Sequence, residues 1–559
     1  MEEKTVKPSF LASMDRAAME RERLLRISRA DGGGRPKRPR SPSVELIETY
    51  EISSSPESSG DAPVEVSSAS PDDTSIESTI RTTAAAVNRA RSTATMEMES
   101  GSDTKRMRED LIERIPYPRG VVKKTAVNGY ARHGDDITIN EVLQPTKLRT
   151  AVLSAFQWEF EWIFDKLFLG RTRMVLVVAA KGAQVQEQTR SMFKEVPNVR
   201  VCMPNMDGMI NCMHSKVQLL FYDSYLRVCI PSANLTHYDW GEGAGVLENI
   251  MYIHDFPLVV TGTRELPEFA LSLIYFLEAQ DMFDDILQRL RREVSWANCE
   301  NVRFVHSIGG EHREERAIWR TGYPSLSTAV RSFGGVGAPA EVDYLISSLG
   351  SVNPIFAESI YQAATGAQIS ISRPPKSSDS LFSLVKSKLR VYFPSHDTVA
   401  ACKGGLGSAG TICFNRSFWT RPAFPKEIVR DAKSVRDGCL MHDKVMFIRF
   451  QNPVIDADGV RSMALAYVGS ANMSESAWGK LVNDQLSKRM KLNLRNWECG
   501  VLLRVPLNTV GPSSGSSGIA LKSVEESFSG TVPVPMHTKG TEFGHKVPWF
   551  FTEREWASH

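Results

Sequence analysis

The chain of 559 residues lacks the features that mark several protein classes. No run of 18 apolar residues occurs, and the opening Met-Glu-Glu-Lys is no apolar signal region, so we expect neither a membrane span nor secretion. The eight cysteines show no Cys-x-x-Cys spacing and lie mostly in apolar runs, which predicts reduced core residues rather than disulfides. No acidic cluster or His/Cys spacing indicates a metal site, so we expect no metal and no cofactor.

A strong net charge is also missing, and composition divides the chain into a tail and a longer remainder. The net charge is +2, so binding to nucleic acid would need a local basic patch. Residues 1–105 are rich in Ser, Gly, Pro, Asp and Glu, which predicts a disordered regulatory or targeting tail. The remainder is too long for one core, and we predict two domains, 106–300 and 301–559.

Two short motifs stand out within the tail. Arg35-Pro-Lys-Arg-Pro-Arg40 is a basic cluster typical of nuclear import signals, so we expect a nuclear protein; the alternative is a tail that is simply solvated. Val44-Glu-Leu-Ile47, followed by acidic and Ser residues, is similar to segments that add a strand to a ubiquitin-like partner.

Beyond the tail, strand and helix patterns alternate, which favours an α/β layered fold. Residues 137–153 are predicted to form a helix with its start signal, 173–180 a buried strand, and 266–292 a helical region. Polar side chains at strand ends are where sheets of this kind place their sites.

One short chemical pattern occurs twice. Met213-His-Ser-Lys216 precedes Pro231-Ser-Ala-Asn234, and Met441-His-Asp-Lys444 precedes Gly469-Ser-Ala-Asn472. A third His-x-Lys, at 537–539, has no such Asn after it, and we interpret it as chance. A single His/Lys pair is usually a surface pair, but two matched sets predict two similar halves that together build one site. Imidazole beside ammonium suits phosphoryl chemistry, because His exchanges protons near neutral pH and Lys pairs with phosphate oxygens.

These residues resemble the paired His-Lys-Asn motifs of the tyrosyl-DNA phosphodiesterase branch of the phospholipase D superfamily. The wider superfamily carries an Asp five residues after each Lys, and here those positions hold Phe221 and Arg449. Further similar segments are 234–240, 347–351, 392–395 and 548–549, so the resemblance covers roughly residues 120–559. It implies two similar α/β/α sandwich domains, related by a pseudo-twofold axis, with one active site between them.

The resemblance also implies a reaction. His214 would attack the phosphorus that joins a tyrosine to a DNA 3′ end, giving a covalent phosphohistidine. His442 would act as general acid and then as general base, leaving a 3′-phosphate. The non-bridging oxygens would be bound by the remaining members of the two sets, which are Lys216, Lys444, Asn234 and Asn472.

Further residues are assigned through the same resemblance. Glu498 and Glu248 are the candidates for holding the histidine rings, although Glu248 stands where relatives have Gln. Ser347, Ser348 and Ser351 are the DNA-side candidates, and Trp549 is either a peptide-side contact or core. The implied partners are single-stranded DNA or DNA 3′ ends and a tyrosyl peptide of topoisomerase I; we expect a monomer and no membrane partner.

Two alternatives stay open at this point. Another phospholipase D-type diesterase or nuclease would use the same histidines on a different diester. A non-catalytic scaffold that binds DNA ends would need neither histidine, so the intact double set favours an enzyme. Turnover on a tyrosyl oligonucleotide would separate these possibilities.

Overall fold

The computed structural model describes residues 115–259, 265–485, 487–506, 521–538 and 540–551. Strands alternate with helices there, as the sequence predicts, and build two large mixed sheets and two smaller ones. Within these ranges no helix has the length and apolarity needed to cross a membrane. The tail motifs at 35–40 and 44–47 lie outside the described residues.

The first large sheet is built from the N-terminal part of the chain. The strands of all sheets are numbered β1–β21 in chain order. The strands of this sheet are β1 Val121–Thr125, β2 Asp136–Ile137, β3 Thr150–Ser154, β4 Arg173–Val177, β5 Val199–Cys202, β7 Gln218–Phe221, β8 Tyr225–Pro231 and β10 Ile250–Pro257. Their order across the sheet is β2-β1-β10-β8-β7-β3-β4-β5. Strands β3, β4 and β5 are parallel, whereas β1, β10, β8, β7 and β3 pair antiparallel in turn.

The second large sheet repeats this plan. Its strands are β11 Val302–Ser307, β13 Ala340–Leu345, β14 Leu389–Phe393, β15 Val429–Asp431, β17 Val445–Ile455, β18 Arg461–Gly469 and β21 Asn496–Pro506. Their order is β11-β21-β18-β17-β13-β14-β15, with β13, β14 and β15 parallel. Strand for strand this matches β1-β10-β8-β7-β3-β4-β5 of the first sheet, so the short sequence repeat is part of a repeated fold.

Helices pack on both sheets and close the cores. They are α1 Ile139–Leu143, α2 Phe160–Asp165, α3 Ala183–Phe193, α4 Glu268–Glu278, α5 Asp284–Arg292, α6 Glu315–Trp319, α7 Gly322–Ser332, α8 Pro354–Ala364, α9 Asp379–Lys388, α10 His396–Ala400, α11 Arg416–Trp419, α12 Glu475–Trp478 and α13 Val524–Phe528, with 3-10 turns at Leu406–Ala409 and Lys426–Ile428. One apolar core contains buried residues of both sheets, including Val228 and Val501, together with α4 and α5. The two halves therefore share a core and form an α/β fold, as predicted.

Two-stranded parallel pairings join the halves directly. The short strand β6, Cys212–Met213, pairs with the start of β21 in the second half. Reciprocally, β16, Leu440–Met441, pairs with β9, Leu247–Glu248, in the first half. Each His-x-Lys motif begins immediately after one of these strands, so the backbone of each half fixes the histidine of the other. A separate three-stranded sheet contains β12 Gly310–His312, β19 Lys480–Asn483 and β20 Met490–Leu494.

The prediction of one helix over residues 137–153 was wrong. A capping box between Thr138 and Glu141 starts α1, but the helix ends at Gln144, whose φ of 42° is left-handed. The following Pro145 disfavours a helical conformation at the residue before it. Residues 150–154, all buried, then form strand β3 because they lie in the middle of the sheet.

Candidate active site

A narrow cavity lies between the two halves, where the two repeated motifs meet. It is lined by Phe156, Gln157, His214, Asn234, Ser347, Ser348, Thr411, His442 and Asn472. Two histidines, two asparagines and two serines predicted from the sequence thus surround one space. Apart from Thr411, the lining residues come from equivalent positions, after β3 and β13, after β6 and β16, and after β8 and β18.

His214 is fixed by the second half. Its backbone N–H donates to Trp497 O at 3.0 Å, which continues the β6–β21 pairing. Its Nδ1 lies 2.8 Å from Glu498 Oε2, and that carboxylate also accepts from Ser470 Oγ at 2.5 Å and Asn496 Nδ2 at 2.9 Å. Because a carboxylate accepts only, Nδ1 carries the proton and Nε2 is the ring nitrogen left for the substrate.

His442 is fixed in the same way by the first half, but by a neutral partner. Its backbone N–H donates to Glu248 O at 2.8 Å, and its Nδ1 lies 3.0 Å from Asn249 Oδ1. Ser232 Oγ donates to that same oxygen at 2.8 Å, while Asn249 Nδ2 donates to Asp239 O at 2.7 Å. These contacts set the amide orientation, so His442 Nδ1–H donates to Oδ1.

The assignment of Glu248 as a histidine partner therefore needs correction by one residue. Asn249 takes that place, since it follows β9 as Glu498 follows the residues of β21 that pair with β6. The Glu248 side chain points away and forms ion pairs with Arg436 and, at 3.8 Å, with Lys124. Side chains of adjacent residues in an extended chain point to opposite sides. Glu248 therefore points to a buried ion pair, whereas Asn249, one residue later, points to the His442 ring.

Burial sets the protonation of His214. Loss of solvation lowers the pKa of His214 to about 4, although the Glu498 carboxylate acts in the opposite direction. Burial alone would raise the pKa of Glu498, but His214, Lys216 and the Ser470 hydroxyl together hold it below its ordinary value. The pair is thus a neutral imidazole that donates to a carboxylate, and the lone pair of Nε2 is free to react near neutral pH.

Both lysines are fully buried, and neither lines the cavity. Lys216 Nζ donates to His214 O at 2.9 Å, and Lys444 Nζ donates to His442 O at 2.5 Å. Burial lowers the pKa of both ammonium groups, and for Lys444 the nearby charge of Lys216 lowers it further. Two buried lysines whose charges act on each other form an environment suited to an anion.

The asparagines are held by loop amides. Asn472 Oδ1 accepts from the backbone N–H of Ser347 at 3.0 Å and of Ser348 at 2.9 Å. In the first half Asn234 Oδ1 accepts from the N–H of Gln157 at 3.3 Å. With Oδ1 occupied, the side-chain NH₂ of each residue is the group that can donate to an oxygen in the cavity.

Comparison with known proteins agrees with this arrangement. The sequence profile of the family described as "Tyrosyl-DNA phosphodiesterase" matches residues 121–544, which is most of the chain. The chain belongs to this family. "Tyrosyl-DNA phosphodiesterase 1" of Arabidopsis thaliana is 23% identical over 394 residues, or 67% of this chain and 60% of that protein. "Probable tyrosyl-DNA phosphodiesterase" of Caenorhabditis elegans is 23% identical over 393 residues, or 66% of this chain and 79% of that protein.

A solved structure supports the fold of the family. The crystal structure of the yeast tyrosyl-DNA phosphodiesterase matches with a TM-score of 0.56 and 17% sequence identity. The match covers 78% of this chain and 100% of that chain. The family's paired sandwich architecture is therefore the architecture of this protein, with the phospholipase D-like fold that the motifs imply.

The remaining predicted residues divide into two groups. The loop residues Ser347 and Ser348 line the cavity, whereas Ser351 does not, and its hydroxyl contacts Arg421. The peptide-side interpretation of Trp549 was wrong. Its side chain is only 2% exposed, packs in the core of the second half and donates through Nε1 to Ile412 O at 2.9 Å.

Sequence reasoning missed Phe156, Gln157 and Thr411 as lining residues, and it missed Asn249. Aligning the strands before each motif would have found Gln157, because the loop after β3 corresponds to the loop after β13 that carries Ser347 and Ser348. No comparable signal exists for Asn249, since the number of residues from each motif asparagine to the histidine partner differs between the halves. In the part of the chain that the structure describes, no three His, Cys, Asp or Glu residues group as a metal site would require.

Proposed function

We propose that this member of the tyrosyl-DNA phosphodiesterase family hydrolyses the 3′-phosphotyrosyl bond between DNA and a topoisomerase I-derived peptide, and other 3′ adducts of the same kind. The observation that carries the proposal is the pair of imidazoles that line one cavity, each held through its Nδ1 by a residue of the opposite half. A phosphodiester needs a nucleophile on one side of phosphorus and an acid on the other, and two such imidazoles supply both roles.

In the first step, the Nε2 lone pair of neutral His214 attacks phosphorus and forms an N–P bond. The bond from phosphorus to the tyrosyl oxygen breaks with its electron pair going to oxygen. That oxygen takes the Nε2 proton of protonated His442, so the phenol leaves neutral. The positive charge that develops on the His214 ring faces the Glu498 carboxylate at 2.8 Å, which stabilises it.

In the second step, a water oxygen attacks phosphorus from the side that the phenol has left. Neutral His442 takes the water proton at Nε2, the N–P bond breaks, and its electron pair returns to His214 Nε2. The products are a 3′-phosphate on the DNA and the starting protonation states of both rings. The enzyme is thereby ready for another turnover.

Negative charge on the non-bridging oxygens is the main electrostatic demand of both steps. The side-chain amides of Asn234 and Asn472 donate to these oxygens, and the buried Lys216 and Lys444 supply the opposing charge. This chain therefore has groups of its own for the role that a cation fills in other phosphodiesterases. Donors of this type contribute about 10²- to 10³-fold each to acyl-transfer rates, and we expect a similar size here.

The DNA strand is proposed to leave the cavity past Ser347 and Ser348, two of the hydroxyl-bearing residues of its second-half wall. Contacts to the sugar-phosphate backbone without base contacts make binding salt dependent and nearly independent of sequence. We further propose nuclear localisation through residues 35–40, association of a ubiquitin-like protein with residues 44–47, and a monomeric state.

A gel assay tests the proposal. A 3′-phosphotyrosyl single-stranded oligonucleotide is incubated in EDTA with wild type, His214→Ala, His442→Asn and His537→Ala. His537 is an exposed histidine in the third His-x-Lys sequence and serves as the matched control. We expect a 3′-phosphate product from wild type and His537→Ala, and none from His214→Ala. With His442→Asn we expect a slowly formed protein–DNA adduct that persists, because this variant lacks both the acid for the first step and the base for the second.

The same gel separates the alternatives. Absence of product from the wild type at every pH from about 5 to 9, where histidines titrate, would contradict the proposed reaction. Binding of the oligonucleotide without turnover would then favour a scaffold that binds DNA ends. Internal cleavage of the oligonucleotide would favour a nuclease of the same superfamily.

A further inference from the structure

Asp239 is a buried carboxylate beside the site that has no counterpart in the other half. It stands five residues after Asn234, and the equivalent position after Asn472 holds Ala477. The next residue is a buried Trp in both halves, Trp240 and Trp478, so the two segments correspond residue by residue up to this point. The carboxylate is therefore a departure from the repeat rather than part of it.

The position of Asp239 directs its charge toward His442. Its Oδ2 lies 3.6 Å from His442 Nδ1 and also accepts from the backbone N–H of Asn234 at 2.7 Å. Its other oxygen, Oδ1, is buried and has no hydrogen-bond partner among the described residues. A carboxylate with one unpaired oxygen away from water acts strongly on a neighbouring cation.

The repeat departs at a second position that concerns the same rings. Glu498, which contacts His214, corresponds to Asn249, which contacts His442. His214 thus has a carboxylate in hydrogen-bond contact, whereas His442 has an amide in contact and the Asp239 carboxylate just beyond it. Each histidine ring thus has one carboxylate nearby: Glu498 is hydrogen-bonded to the His214 ring, and Asp239 lies 3.6 Å from the His442 ring.

The other charged groups around His442 act against its protonation. The buried ammonium groups of Lys444 and Lys216 lie nearby, and Asp239 is among the charges that stabilise both of them. The next residue in the chain, Asp443, is also buried, and burial raises its pKa well above the usual value. Asp239 places a carboxylate oxygen within salt-bridge distance of the His442 ring.

We propose that Asp239 is a positioning residue that keeps His442 in its protonated form, so that His442 can protonate the departing phenolate. This inference rests on the proposed function, since it requires a leaving group that needs a proton. The two carboxylates then have different roles. Glu498 stabilises the positive charge that develops on the His214 ring during attack, and Asp239 stabilises the positive charge that the His442 ring already carries before attack. The chain breaks its own symmetry because its two imidazoles begin the reaction in different protonation states.

Leaving-group dependence tests this role. In Asp239→Asn the side-chain oxygen still accepts from the Asn234 N–H, so the turn is kept and only the charge is lost. Single-turnover rates are measured from pH 5 to 9 with a 3′-phosphotyrosyl oligonucleotide and with a 3′-(4-nitrophenyl) phosphate oligonucleotide, whose leaving group departs without a proton. The control is Asp458→Asn, which makes the same change at an exposed carboxylate in the turn between β17 and β18.

For Asp239→Asn we expect the alkaline limb of the tyrosyl profile to move to lower pH by about 1 to 3 units, the usual effect of one close charge. At pH 8 we expect the tyrosyl rate to fall about 10-fold or more, in line with that shift, and the 4-nitrophenyl rate to stay within about 2-fold of wild type. Asp458→Asn should leave the profile in place. Should Asp239→Asn fail to fold by circular dichroism, Asp239→Ser, which also keeps an acceptor, is measured instead.

Two results would overturn the inference. One is an unmoved alkaline limb in a folded variant. The other is an equal loss of rate on both substrates, which would mean that Asp239 only closes the turn. Failure of the wild type to release either leaving group would instead overturn the proposed function, and with it this inference, so the two failures are distinguishable.

Discussion

Replacing Glu498 by Gln removes the negative charge that faces His214 while keeping nearly the same shape. The carboxylate accepts from His214 Nδ1, Ser470 Oγ and Asn496 Nδ2. A Gln oxygen can keep the first two contacts, and its NH₂ would then face Asn496, whose own Oδ1 is buried without a partner and can accept after a flip of the amide. The variant should therefore fold, with the main loss being electrostatic.

The size of the effect follows from the single contact that changes. A hydrogen bond to a charged group contributes about 1.5–3 kcal/mol, and here it strengthens as the His214 ring becomes positive. At about 1.4 kcal/mol per tenfold change, formation of the covalent adduct should slow about 10- to 150-fold. Affinity for the oligonucleotide should stay within about 2-fold, because the carboxylate does not line the cavity.

The assay is rapid-quench measurement of adduct formation in the His442→Asn background, with and without Glu498→Gln, on the 3′-(4-nitrophenyl) phosphate oligonucleotide, whose leaving group needs no proton. Because His442→Asn blocks the second step in both proteins, the ratio reports attack alone. A folded double variant whose rate lies within about 3-fold of its parent would refute the argument that this contact supports the nucleophile. A melting curve for each protein separates a chemical loss from an unfolded fraction.

Three further predictions follow from other contacts. Asn472→Asp keeps the oxygen that accepts from the N–H groups of Ser347 and Ser348, but it replaces the NH₂ donor at the cavity by a negatively charged group. In the gel assay kcat should therefore fall about 10²- to 10³-fold or more. A loss of less than about 10-fold would contradict the proposed role in binding the non-bridging oxygens. Trp549→Ala removes a core side chain and should lower the free energy of unfolding, measured by urea titration, by about 3–5 kcal/mol. KM should stay unchanged for substrates with and without a peptide. A rise in KM for the peptide substrate alone would restore the peptide-side interpretation. Burial lowers the pKa of His306 to about 3, against about 6.5 in the unfolded chain, so the unfolded state binds more protons below pH 6.5 and the free energy of unfolding falls as the pH falls. His306→Phe should remove about 2 kcal/mol of the stability lost between pH 6.5 and 5. An unchanged pH dependence of unfolding would contradict this.

The sequence was sufficient for the parts of the site that depend on local spacing. His214 and Lys216 are two residues apart in one segment, as are His442 and Lys444, and each set recurs with its asparagine. Repetition of a chemical set is informative because chance seldom produces it twice in the same context. The alternation of strands and helices likewise predicted an α/β fold, since buried strands and amphipathic helices have different periods.

The partners of the histidines could not be predicted with the same success, because each partner comes from the opposite half. The register of the two-residue pairing between β9 and β16 decides which residue near β9 faces the His442 ring. No local sequence pattern encodes that register. The assignment of Glu248 was therefore wrong by one residue, and Asn249 contacts the His442 ring. Trp549 shows a different limit, since an aromatic residue near a motif looks the same in sequence whether it contacts substrate or core.

The identity of the nucleophile is the central claim, and peptide mapping of the trapped adduct tests it most directly. The His442→Asn protein is reacted with the 3′-phosphotyrosyl oligonucleotide in EDTA, quenched at alkaline pH where phosphohistidine survives, digested with nuclease and protease, and analysed by mass spectrometry. We predict a phosphonucleotide on the peptide that contains His214, attached through Nε2, and released tyrosine in equal amount. A modification on any other residue, or complete hydrolysis with no adduct at any time, would contradict the account.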